Sequence, residues 1–301
     1  MLVVMYHYVR DFDSEAPNFK NLTVDQFKKQ LQFFKDNYGF ITRERFLECI
    51  EVGSWWGNGV VLSFDDGFKD HYTNVLPLLE DLGLWGLFYV SSDHYHNKSC
   101  LNVHKVHHLL GRHDPKIILD ASLSLVDSSM LNEDKIQEFD AEIYKDQKLS
   151  TNEYSFKRLF NYYLKDEYKT KLLSDVCSNY FDERELHDSL YLTKDELVDI
   201  ENQGSIVGSH TATHPVLSTL SYADQEEEIG SSFSFLDSFL DMKVRSFCYP
   251  YGGRSSYNKD TLAILQKLNT HHAFLVGNET FDKVSSPYEL TRVDCNRFNI
   301  K

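Results

Sequence analysis

VVLSFDDGFKDHY, residues 60–72, begins as a buried strand and then breaks the usual pattern. Apolar or small residues lead to Phe64, two carboxylates follow at once as Asp65 and Asp66, and Gly67 comes next. Like charges side by side raise each other's pKa and resist burial. Something positive must sit between these two, or one of them must hold a proton.

Outward from this stretch the chain alternates. Residues 2–6 form an apolar strand that delivers His7, and LTVDQFKKQLQFFKDNYG carries Phe27, Leu31 and Phe34 at helical spacing before Gly39. FITRERFLECIEVG reads as a short strand and a helix, YTNVLPLLEDLGL as a helix and WGLFYVSS as a strand. From about 95 to 190 the rhythm stops, and the chain becomes polar, Tyr-rich and helical in pattern. It resumes with LTKDELVDIENQG, where Thr193 and Glu196 form a capping-box pair. The strands SIVGSH, VRSFCYPYGG, HAFLVG and YELTRVD follow, with helices between the first three. Such alternation indicates an α/β fold with a mostly parallel sheet. The expected organisation is one domain over 1–301, with 95–190 a helical insertion that narrows the mouth of the site.

Composition bounds the function. The 301 residues carry a net charge of −15 and are 42% hydrophobic, which suits a large core and argues against a binder that tracks nucleic-acid phosphates. Five cysteines, an odd number without a CxxC pair, argue against a disulfide framework or a zinc-thiolate site. The N-terminus has no signal-peptide pattern and no stretch is long and apolar enough for a membrane helix, so a cytoplasmic protein is expected.

GSHTATHPVL supplies what the two aspartates lack. His210 and His214 lie four residues apart and can reach one metal together. The residues between them are Thr211, Ala212 and Thr213, so a general base must come from elsewhere, and the paired aspartates offer one. Two His and one Asp make a three-ligand site with positions left for water, a catalytic arrangement.

With SFDDG, HTATH and CYPYG in this order, each at the end of an apparent strand, the chain resembles the polysaccharide deacetylase family, the NodB-homology carbohydrate esterases. The resemblance covers about 60–92, 193–301 and the N-terminal segment. It implies a distorted (β/α) barrel in which Asp65 is the general base and Asp66, His210 and His214 hold a divalent metal. Zinc is the first choice, with cobalt or nickel able to substitute. A water on that metal would be the nucleophile. The backbone N–H of Tyr251 would stabilise the oxyanion. Pro250 would fix the turn, Thr211 would brace the histidine loop, and Asp294 and Arg292 would line the substrate pocket. The expected reaction is removal of N-acetyl, less readily O-acetyl, groups from a saccharide or a precursor in surface-polysaccharide synthesis. Alternatives are an amidohydrolase or deformylase of the same fold and a catalytically silent carbohydrate-binding protein.

Two departures from the family stand out. Cys248 occupies the place where many members carry an arginine that orients the base; Arg245 and Arg292 are candidate substitutes. A late strand with a histidine is also missing. LVVMYHYV resembles that strand moved to the front, as in a circularly permuted branch of the family acting on surface polysaccharides, and this makes His7 the candidate general acid. The histidines between 94 and 113 are read as solvated or cleft-lining, and the aromatic residues of 154–191 as core.

Overall fold

A computed structural model describes residues 1–54, 57–132, 149–277, 286–298 and 300. Seven parallel strands close into a barrel in chain order: β1 (Leu2–Tyr6), β2 (Val60–Phe64), β3 (Gly86–Val90), β4 (Ile206–Ser209), β5 (Ser246–Cys248), β6 (His272–Val276) and β7 (Leu290–Asp294). The first strand closes the ring. It pairs with β2 from Leu2 opposite Val60 to Tyr6 opposite Phe64, and with β7 at Val4 opposite Val293. Every strand is parallel to its neighbours, so all seven carboxyl ends open on one face.

The helices follow the sequence pattern. Thr23 caps Val24–Asn37 in a capping box with Gln26, and Phe27, Leu31 and Phe34 are buried along that helix. Each such side chain contributes about 1.5–3 kcal/mol on leaving water. Thr193 and Glu196 form the expected capping box on Lys194–Asn202. Two local expectations change. Phe40–Thr42 is not a strand: Phe40 makes only an isolated bridge to Val60. The edge of β2 that faces β3 is taken from Leu62 onward, so only Val60 and Val61 remain for Phe40 to meet. The helix expected from Tyr72 starts instead as a π-helical turn at His71–Val75 and becomes α-helical at Leu76–Asp81. Pro77 has no N–H, and its ring crowds the carbonyl four residues back, which widens the turn.

Contacts divide the chain into two compact units. Met1–Asp11, Asn21–Asn97 and Leu190–Lys301 form the barrel unit. Its interior packs Val4, Tyr6, Phe64, Phe88, Val90 and Val207 in one cluster and Val3, Val61, Leu87, Tyr89 and Phe274 in another. Gly208 on β4 is required by closeness, because a Cβ there would lie 2.7 Å from both the Ser246 carbonyl and the Tyr89 ring.

The second unit is Lys98–Ser189 with Phe12–Lys20. Its core includes Val106, Leu109, Ile118, Phe156, Phe160, Leu173 and Val176, so the aromatic residues Phe156 and Phe160 are packing residues. Lys105 is fully buried and neutralised by Glu183 at 2.6 Å. Phe12–Lys20 joins through the N–H of Asn18, which donates to the Gly111 carbonyl, and through Phe19, whose ring would meet a Cβ at Gly111 at 2.5 Å. The five cysteines are buried and none is in a disulfide. Among the described residues no helix is long and apolar enough to cross a membrane.

Candidate active site

Strand ends deliver the site. Asp65 and Asp66 leave β2, His210 leaves β4, and Tyr249 to Gly252 leave β5. The loops there turn sharply: Asp66, Thr211, His214 and Tyr251 all have left-handed φ, between 62° and 75°. Non-glycine residues reach this region at a cost and concentrate where function holds them.

Asp66, His210 and His214 converge. The Nε2 atoms of both histidines lie 3.5 Å from Asp66 Oδ1, and all three side chains are buried. Ligand atoms placed tetrahedrally about 2.0–2.2 Å from a zinc ion are roughly 3.4 Å apart, so the spacing fits. The chemistry of the donor set fits as well. His210 Nδ1 lies 2.8 Å from the Cys248 carbonyl and donates to it, which leaves the Nε2 lone pair facing the cluster. Burial lowers the His210 pKa against the pull of Asp65 and Asp66, so the ring is neutral, as a ligand must be.

Asp65 faces the other way. Arg292 on β7 holds it in a fork, with Nη1 2.6 Å from Oδ1 and Nη2 2.7 Å from Oδ2. The same guanidinium donates to Ser63 Oγ at 2.5 Å and to Cys248 Sγ at 2.7 Å. Burial alone would raise the Asp65 pKa, but the Arg292 charge and its hydrogen bonds outweigh burial and bring it below the ordinary carboxylate value. Burial pushes the Cys248 thiol well up, so it stays a thiol.

These placements correct part of the sequence reading. Arg292 was expected to line the substrate pocket; it is fully buried, and its place beside Asp65 is the one that an arginine at position 248 was expected to fill. Arg245 pairs with Asp237 and the Leu268 carbonyl instead. Thr211, expected to brace the histidine loop, is fully buried; its hydroxyl donates to the His210 carbonyl at 2.5 Å and accepts the His214 N–H at 3.1 Å, so it shapes the loop and is closed off from a substrate. Asp294 caps the turn after β7 by accepting the Asn296 N–H. Pro250 is buried in the turn before Tyr251, and the Tyr251 ring is half exposed, its centre 5.0 Å from that of His214. His7 follows β1, is 40% exposed, and places Nε2 3.9 Å from Asp66 Oδ2. Among the described residues, the groups able to surround one ion are Asp66 with His210 and His214, and Asp65 with His210 and Cys248; no histidine from 94–113 takes part.

One positioning residue gave no motif. Glu228, on the helix Tyr222–Asp237, accepts the N–H groups of Ala212 and Thr213 at 3.0 and 2.9 Å and the Thr213 hydroxyl at 2.6 Å. It sits inside a run of three glutamates that reads as a solvated face. The available signal was its place beside the buried stripe of Gln225, Ile229 and Ser232.

Comparisons with known proteins bear on the fold that carries this site. Residues 162–273 match the family model described as polysaccharide deacetylase, a span that includes HTATH and CYPYG and lies C-terminal to SFDDG. The Streptococcus pyogenes deacetylase PplD, solved in complex with acetate, superposes with a TM-score of 0.58 at 18% identity over 98% of this chain and 91% of its own. This is the polysaccharide deacetylase fold. IcaB from Ammonifex degensii shares it with a TM-score of 0.58 at 16% identity over 97% of this chain and 90% of its own. A de-N-acetylase from Aggregatibacter actinomycetemcomitans does so with a TM-score of 0.55 at 14% identity over 97% and 93%. No curated protein sequence matches the chain. On this deacetylase barrel the N-terminal strand stands between β7 and β2, which brings His7 to the same rim as Asp65 and Asp66.

Proposed function

We propose that the chain is a metal-dependent hydrolase that removes N-acetyl groups from a saccharide or saccharide precursor. The observation that carries this reading is the convergence of Asp66, His210 and His214 beside a separate carboxylate, Asp65, held by its own arginine. The de-N-acetylase among the structural neighbours favours nitrogen over oxygen as the leaving atom.

A divalent cation held by Asp66, His210 and His214, zinc by preference for two imidazoles and a carboxylate, would acidify a water and polarise the acyl carbonyl. Asp65 accepts the water's proton. Its pairing with Arg292 uses one lone pair on each oxygen and leaves others for that water, since a carboxylate offers about four acceptor sites. The lowered pKa keeps Asp65 ionised and ready at neutral pH. The Tyr251 N–H, in a left-handed turn beside this cluster, would stabilise the oxyanion. His7, at the solvent-facing side of Asp66, gives a proton to the departing amine.

The test is acetate release from a panel of N-acetylated and O-acetylated sugars, before and after chelation. Release from the N-acetylated members, lost on chelation and restored by zinc, is expected. Undiminished release from the metal-free protein would contradict the assignment.

A further inference from the structure

β1 and β2 run in register to their last residues, Tyr6 opposite Phe64, and the Asp65 N–H donates to the Tyr6 carbonyl at 2.9 Å. His7 and Asp65 therefore leave the barrel side by side. Beyond that point the ladder ends; an isolated parallel bridge of Val9 to Leu22 holds residues 8–10 on one side, and the His7 and Val9 carbonyls find their partners elsewhere. Both go to one short segment, residues 70–74, directly after the aspartate turn. His71 Nε2 is 2.8 Å from the His7 carbonyl. Asn74 Nδ2 donates to the Val9 carbonyl at 2.8 Å. On the same segment Asp70 pairs with the Arg10 guanidinium at 2.6 Å and also accepts the Val9 N–H. The carbonyl of Tyr8 takes the Leu22 N–H on the other side.

We propose that Asp70, His71 and Asn74 form a clamp that positions His7 for its role as general acid, with His71 the principal positioning residue. This rests on the assignment of His7 made above. The π-helical turn at His71–Val75 gives the clamp its geometry, and such turns recur at functional sites. His71 is fully buried among Phe64, Phe68 and Phe88. Burial pushes its pKa down to about 4, so the ring is neutral. The proton is then on Nε2, facing the His7 carbonyl, while Nδ1 has no hydrogen-bond partner among the described residues. A buried imidazole with one hydrogen bond, spent on the backbone of the candidate acid, needs a reason beyond packing, which phenylalanine would serve as well. The clamp also follows Asp65 and Asp66 in the chain, so it ties the acid's segment to the base's segment.

The test compares His71→Phe, which keeps the ring packing and removes the donor, with His71→Gln, which restores a donor near Nε2. Asn74→Ala gives a second route to the same segment should His71→Phe not fold. Two readouts are taken on the whole protein: the ring signals of isotope-labelled histidines by NMR, and turnover on an N-acetylated amino sugar and on 4-nitrophenyl acetate. The nitrophenolate leaves without a proton, so its release does not need the acid. A misplaced catalytic group costs about 10²-fold. His71→Phe is expected to shift or split the His7 signal, leave those of His210 and His214 in place, and lower turnover on the amide about 10²-fold while the ester changes little; His71→Gln recovers most of both. Asn74→Ala moves the same signal less. An unmoved His7 signal in His71→Phe and Asn74→Ala, or equal losses on both substrates, overturns the clamp. A displaced His7 signal with amide turnover unchanged in both His71→Phe and His7→Ala upholds the clamp as structure and overturns its catalytic purpose along with the acid role of His7.

Discussion

Asp65 and Asp66 are joined by one peptide bond and are 2% and 3% exposed, yet they face different halves of the site. Asp65 turns toward β7 and is neutralised by a permanent cation of the chain, Arg292. Asp66, in a left-handed backbone conformation, turns toward the two histidines, where a cation can be bound from solution. The turn separates the adjacent charges: Asp65 has Arg292 as its positive partner, and Asp66 faces two imidazoles. In the proposed reaction the carboxylate held by a fixed arginine accepts the proton, and the one beside two imidazoles holds the metal.

Breaking the Asp65 half has the largest expected effect on turnover. Asp65→Asn keeps the shape and removes the proton acceptor, so kcat should fall by about 10²–10⁴-fold in steady-state assays of acetate release. Removing its partner acts on the fold instead. Arg292→Leu leaves a buried carboxylate without its countercharge, and denaturant titration should show a loss of about 3–5 kcal/mol. The pH dependence has a definite sign. With a folded pKa below the unfolded one, the Asp65–Arg292 pair stabilises fully above about pH 4 and loses its effect as pH falls through the lowered value. In Arg292→Leu the main influences opposing burial are gone, so acid protonates Asp65 at higher pH than in the unmodified chain.

The Asp66 half is sharpened by Glu228. Glu228→Ala frees the Ala212 and Thr213 N–H groups and loosens the loop between the two histidines, so zinc affinity measured by competition with a chelator should drop about 10–100-fold. Asp65 and Arg292 should be unaffected. The smallest effect is expected from Cys248→Ala. It removes the thiol contact to Arg292 but leaves the fork on Asp65 intact, and stability should change by about 1 kcal/mol with turnover retained.

The strand ends of the candidate site were legible because each pairs an apolar run with residues that have no reason to be buried there. Leu2–Tyr6 with His7, Val60–Phe64 with the aspartates, and Ile206–Ser209 with His210 all fall at the predicted places. Arg292 was visible as a candidate, but its partner is 227 residues away and meets it across the closing seam of the barrel, which spacing cannot encode. Glu228 and His71 were hidden for a related reason: both act on backbone atoms, and backbone hydrogen bonds leave no motif. The attachment of Phe12–Lys20 to the second unit was equally hidden, since its main tie is a glycine that allows a ring to approach.

The most direct test of two carboxylates with separate cations is the metal content of Asp65→Asn and Asp66→Asn, measured by elemental analysis after dialysis against limiting zinc. The arrangement predicts one zinc per chain in the unmodified protein and in Asp65→Asn, and substoichiometric zinc in Asp66→Asn. Retention by Asp66→Asn together with loss from Asp65→Asn would contradict it and exchange the roles of the two residues.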